Sequence, residues 1–190
     1  MSENIKDEEK ILILGLDNSG KTSIILSHKG HRNLMSYFKL KPTKKVDIQK
    51  IYTGDSGPSY RIWDFGGQKA YRNGYIEDLE KYSVHATLII FVIDVQDQKR
   101  YGEALDYLEK LTNKFQKINC NAPVYIYLHK FDPGVCKKQG FDVSKVEEDL
   151  IPNIDKAIPT GTSYEIHKTS IYTVFRDVLV HKDNKDNLCV

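Results

Sequence analysis

Gly15-Leu16-Asp17-Asn18-Ser19-Gly20-Lys21-Thr22 is the stretch on which the reading of this chain turns. An apolar run, Ile11-Leu12-Ile13-Leu14, precedes it, and Ser23-Ile24-Ile25-Leu26 opens an apolar helix behind it. Strand, glycine-bounded loop and helix in that order are the setting in which G-x-x-x-x-G-K-[S/T] cradles phosphate. The glycines let the chain curl until successive N–H groups point at one anion, and the helix N-terminus adds about half a positive charge on the same side. Backbone groups of Asp17, Asn18, Ser19 and Gly20 would line the cradle, with Ser23 just inside the helix. Lys21 would reach the β- and γ-phosphates, and the Thr22 hydroxyl would ligate Mg²⁺.

Outside this loop, composition narrows the field. A chain of 190 residues suits one domain with a sizeable core. Its net charge of +2 is too small to argue for nucleic acid through bulk electrostatics. The longest apolar run, about Leu88 to Ile93, is strand-sized rather than membrane-spanning. The polar, acidic start is no signal peptide, and Ser2 excludes N-terminal myristoylation. Cys120, Cys136 and Cys189 show no metal-ligand spacing and fit a reducing cytoplasm. Cys189 is second from the end, so it makes no prenylation signal.

The rest of the chain alternates strand and helix. The pattern predicts a leader over 1–9, one domain over 10–182 and a disordered tail over 183–190. Within the domain it predicts a strand at 10–14, a helix at 21–29 and a loop at 30–43. Two strand-like segments, 46–51 and 60–63, flank the turn Gly54-Asp55-Ser56-Gly57-Pro58 and make a hairpin. A loop over 64–73 leads to a helix near 75–82. Thr87 to Val92 and Val124 to Leu128 read as strands buried on both faces. Between them Leu105, Leu108, Leu111 and Phe115 recur at helical spacing from Tyr101 on. A loop at 130–140, a helix at 143–157 interrupted by Pro152, a strand at 163–168 and a helix at 174–180 complete the series. Such alternation means a largely parallel sheet with helices on both faces, an α/β fold of the P-loop NTPase kind.

Further motifs fall where those strands end. Trp63-Asp64-Phe65-Gly66-Gly67-Gln68 closes the third strand. An acidic residue there, Asp64, can hold Mg²⁺ through a water. Gly67 can bring its N–H to a γ-phosphate, and Gln68 stands where a side chain orients attacking water. Thr43, in Lys41-Pro42-Thr43, is the candidate second hydroxyl ligand of the metal. In His129-Lys130-Phe131-Asp132, the Asp132 carboxylate can accept from the N1–H and amine of guanine, an arrangement adenine cannot match. The Lys130 stem can cover the base. Thr169-Ser170-Ile171 can offer a hydroxyl and N–H groups to it.

Phosphate loop, Pro-Thr, W-D-F-G-G-Q, H-K-F-D and T-S-I, in that order, resemble the five nucleotide motifs of Ras-superfamily small GTPases. The Trp-Asp-x-Gly-Gly-Gln form is similar to the Arf and Rag branches. Val92-Ile93-Asp94-Val95-Gln96-Asp97, His129 and Lys168-Thr169-Ser170-Ile171-Tyr172 lean toward Rag, and the phosphate loop toward Arf. The resemblance spans about Lys10 to Val180. It implies a six-stranded, mostly parallel sheet with one antiparallel edge hairpin, and GTP or GDP bound with Mg²⁺ at its carboxyl edge. It also implies slow GTP hydrolysis as part of a molecular switch. Implied partners are protein effectors, a GTPase-activating protein and an exchange factor, with pairing to itself or another GTPase as an option. Membrane contact would come only through partners. His129 departs from the Asn or Thr usual at its position. No arginine is placed by sequence to act as a finger in cis, and Arg72 is expected to face solvent or a partner. Two other readings stand beside the switch: a non-hydrolysing, GTP-loaded scaffold or pairing module, disfavoured by Gln68 and Thr43, and a phosphate-loop kinase or ATPase, disfavoured by Asp132 and the lack of an arginine-rich lid.

Overall fold

The computed structural model describes residues 8–30, 34–52 and 59–171. The start of the leader, the hairpin turn at 54–58, the helix expected at 174–180, the tail and Cys189 lie outside them.

Six strands form one sheet in the order β2-β3-β1-β4-β5-β6. They are β1 (Glu8–Gly15), β2 (Val46–Tyr52), β3 (Ser59–Phe65), β4 (Ala86–Asp94), β5 (Val124–His129) and β6 (Tyr164–Lys168). Only β2 runs antiparallel, pairing with β3 from Val46↔Phe65 to Tyr52↔Ser59 as the edge hairpin. Strand period decides the two cores. Leu12 and Leu14 face one cluster with Phe65, Leu108, Leu111 and Ile154, while Ile11 and Ile13 face another with Ile24, Ile25 and Val92. Helix α1 (Lys21–His28) covers the second face. The first is covered by α3 (Lys69–Glu77), α4 (Leu79–Ser83), α5 (Tyr101–Lys117) and α6 (Ile151–Ala157). The expected architecture is the observed one.

Several boundaries differ, each for a physical reason. The segment expected as loop at 30–43 carries a short helix, α2 (Leu34–Phe38). The helix expected near 75–82 starts at Lys69 and breaks at Asp78, whose φ −89°, ψ 9° leaves the helical basin. Gly66 and Gly67 mark the start of 64–73 as loop, but the helix begins at Lys69 and tolerates Gly74, since one glycine inside a helix costs only about 1 kcal/mol. The Tyr75 hydroxyl donating to Lys45 O at 2.8 Å helps to anchor the helix. Before α6, Lys145–Leu150 forms a wide π-type helical stretch. Pro152 has no N–H to give, and its ring crowds the carbonyl of Glu148, so the backbone opens by a residue upstream.

Strands β1, β3, β4, β5 and β6 are mutually parallel, so their carboxyl ends share one edge of the sheet. Five loops meet there, at the crevice where the chain changes direction from β1 toward either neighbour.

Candidate functional site

The loop after β1 curls through left-handed backbone at Asn18 (φ 60°) and Gly20 (φ 96°) before α1 begins at Lys21. Lys21 is buried, and its Nζ donates to Gly15 O at 3.1 Å and Leu16 O at 2.7 Å. Burial in so apolar a place pulls its pKa down to about 8, against the attraction of Asp64 and Asp17. At neutral pH the ammonium still carries its charge, which an arriving anion would favour further.

Thr22, Thr43 and Asp64 come from three separate segments and meet. Thr22 Oγ1 donates to Asp64 Oδ2 at 2.6 Å, Thr43 Oγ1 approaches the same oxygen at 3.1 Å, and the two hydroxyls lie 3.1 Å apart. Asp64 is fully buried, burial raises its pKa, and its Oδ1 has no hydrogen-bond partner. A buried carboxylate with an orphan oxygen beside two hydroxyls is a donor set for a hard divalent cation that keeps waters and takes phosphate oxygens. Among the described residues no cluster of three or more His, Cys, Asp or Glu competes with it. The residues fit Mg²⁺.

Gly66 and Gly67 carry the β3 end across this site. Any Cβ at 67 would overlap the backbone of Leu16 and Asp17, and the Asp17 N–H donates to Gly67 O at 3.0 Å. Gln68 follows in extended backbone (φ −64°, ψ 138°) as the residue before α3. Asp17, Asn18, Gly20, Lys21, Thr22, Ser23, Thr43, Gly67 and Gln68 all line one cleft of about 240 Å³, together with Leu40, Lys41 and Pro42.

The remaining site residues lie on the other side of the phosphate loop. Lys130, itself left-handed (φ 61°), donates through Nζ to Asn18 O at 2.8 Å and Asp94 Oδ2 at 2.6 Å. Asp132 Oδ1 accepts from Ser170 Oγ at 2.5 Å and Oδ2 from Gln96 Nε2 at 2.9 Å. His129 is buried with Nδ1 3.0 Å from Thr169 Oγ1, and its ring fills the space where a side chain at 20 would stand. Burial lowers its pKa to about 4, so the ring is neutral. It braces the phosphate loop against the β6 end. Ile171 packs on the second apolar cluster, beyond the base motif.

A chain of charges was not readable from the sequence. Arg100 NH2 donates to Asp17 Oδ1 at 2.8 Å, and its Nε to Glu103 Oε2 at 2.7 Å. Arg72 NH2 donates to Glu103 Oε1 at 2.6 Å. The Arg72 guanidinium lies 5.5 Å from the Tyr107 ring centroid and is buried, so the expectation that it faces solvent or a partner is corrected. Hydrogen bonds from Arg100 and Arg72 hold the Glu103 carboxyl down to about 2. Asp17 and Arg72 thus belong to one clasp joining the phosphate loop to α3.

A six-stranded sheet with one antiparallel edge pair, a phosphate loop after β1 and a base motif after β5 define the architecture of a small GTPase. The profile of the ADP-ribosylation factor family matches residues 1–173, and the chain belongs to that family. ADP-ribosylation factor-related protein 1 from Homo sapiens is 33% identical over 135 residues, covering 69% of this chain. Its counterpart from Rattus norvegicus is 31% identical over the same length. The matched region spans 63% of the length of these curated relatives. Among solved structures, the Arl6 BBS3 small GTPase from Trypanosoma brucei, with the nucleotide analogue GppNp, aligns with a TM-score of 0.62. That match covers 86% of this chain and 87% of the other at 20% identity, a likeness of fold. No helix among the described residues is long and apolar enough to cross a membrane.

Proposed function

We propose that this chain binds GTP and GDP with Mg²⁺, hydrolyses GTP slowly, and acts as a nucleotide-dependent switch. One observation carries the reading: Thr22, Thr43 and Asp64, 21 and 42 residues from the first, converge on one point beside the buried Lys21. Nothing in the folding of a sheet requires that meeting.

Mg²⁺, when bound, neutralises charge on the β- and γ-phosphates; the Thr22 and Thr43 hydroxyls would hold it, and Asp64 would accept from its water. Lys21 binds phosphate oxygens, its ammonium released from the Gly15 and Leu16 carbonyls. Gln68 orients water for in-line attack. Asp132 and Lys130 select and cover guanine, with Ser170 steadying the carboxylate and His129 the loop beneath. Arg100, which reaches the phosphate loop, is already engaged by Asp17 and Glu103, which supports slow turnover and an activating partner. Effectors and an exchange factor would act on a nucleotide-dependent surface around 40–43 and 66–68. His129 and the Val92–Asp97 segment support a placement beside the Rag branch, and the cysteine usage supports a cytoplasmic setting.

Calorimetry with GDP, ADP and Mg²⁺, repeated on Asp132→Ala, tests binding and purine choice. Single-turnover phosphate release by wild type and Gln68→Leu tests chemistry. Equal rates would remove Gln68 from the reaction and leave a GTP-loaded scaffold.

A further inference from the structure

The Val92–Asp97 segment brings a side chain, Gln96, onto Asp132, the residue assigned above to guanine. Gln96 Nε2 donates to Asp132 Oδ2 at 2.9 Å and to Lys130 O at 2.8 Å, and its Oε1 accepts from Lys138 Nζ at 2.6 Å. Two acceptors on one side and a donor on the other fix which way the amide points. The Gln96 N–H is itself pinned by Asp94 Oδ1 at 2.9 Å, and the other Asp94 oxygen holds Lys130.

We propose that Gln96 is a specificity-determining residue: it fixes the rotation of the Asp132 carboxylate so that the pocket prefers a purine with two adjacent donors. That role presupposes the guanine reading above. A carboxylate accepts about four hydrogen bonds. Ser170 takes one position on Oδ1 and Gln96 one on Oδ2, leaving one on each oxygen, which matches the N1–H and 2-amino group of guanine. Asp χ2 is a soft torsion. With Ser170 alone, the carboxylate would swing about one contact. A two-donor edge suffers from that swing more than a one-donor edge does.

The test is competition of GDP, IDP and ADP against fluorescent mant-GDP, with Mg²⁺, on wild type and on Gln96→Leu. IDP lacks the 2-amino group and presents N1–H alone. Wild type should prefer GDP to ADP; no preference would overturn the guanine reading and this inference with it. Gln96→Leu should weaken GDP on the order of tenfold, the size of one charge-assisted hydrogen bond, and IDP by a few-fold, shrinking the GDP:IDP ratio. Equal loss for both, or no change in either, would overturn the proposal while leaving the guanine reading intact. Should Gln96→Leu fail to fold, Lys138→Met releases the amide from its other end. It should shrink the same ratio to a lesser degree, and an unchanged ratio overturns the proposal.

Discussion

An imidazole where the phosphate loop meets the base motif constrains two positions at once. Gly20 has a left-handed φ, and a methyl group there would drive into the His129 ring. Gly20→Ala should therefore lower the unfolding free energy by roughly 2 kcal/mol or more in urea melts and abolish GDP binding. His129 is neutral in the fold at pH values where a free histidine takes up a proton. Its pKa is lowered from 6.5 to about 4, so as pH falls through this window the unfolded chain gains the proton first and stability drops. The loss between pH 6.5 and 4 amounts to roughly 3 kcal/mol. His129→Asn, which keeps a side chain for Thr169 but does not titrate, should flatten that part of the Tm-against-pH curve.

Helix α3 owes its position to the clasp. Glu103 serves two guanidiniums, one of them buried, so Glu103→Ala leaves Arg72 with a desolvated, unpaired charge. Such a loss should cost on the order of 2 kcal/mol in urea denaturation, more than Arg72→Met, which removes the charge as well. Because Gln68 directly precedes α3, Glu103→Ala should also slow GTP hydrolysis with little change in GDP affinity, checked by single-turnover rates beside calorimetry. Sequence reading found the strands, α1, α5 and the phosphate loop, because each carries a local signal: period, glycine spacing or an apolar run. It missed the clasp because Asp17 and Arg100 lie 83 residues apart, and an ion pair across that gap leaves no local mark. It missed α2 because five residues are too few to show a helical period, and the first turns of α3 because Lys69 to Gly74 is mostly polar and carries a glycine. The meeting of Thr43 with Asp64 was anticipated as a shared role; its distances needed the fold.

For the molecule as a whole, ligand binding and stability are one equilibrium. The Asp64 carboxyl is buried with one oxygen that no protein group satisfies, a desolvation cost that a bound cation would relieve. GDP with Mg²⁺ at a hundred times Kd should raise stability by about 2.7 kcal/mol, a Tm rise of roughly 5–10 °C, and ADP should not. Chelating the magnesium with EDTA should remove most of that rise, read by differential scanning calorimetry. Alternating elements made a largely parallel α/β sheet readable, and the motif resemblance supplied the six strands and the edge hairpin; the strand order needed the fold. The placement of one site element on another was not, since it depends on side chains meeting from distant segments.

Lys130 grips the Asn18 carbonyl while His129 abuts Gly20, so the floor and the back of the nucleotide's berth are bolted together. Neither can retreat without breaking the other. Departure of a bound nucleotide would then begin at the opposite wall, where the Thr43 hydroxyl rests on Asp64 and Thr22 at 3.1 Å each. A protein that hastens exchange would do best to pry there.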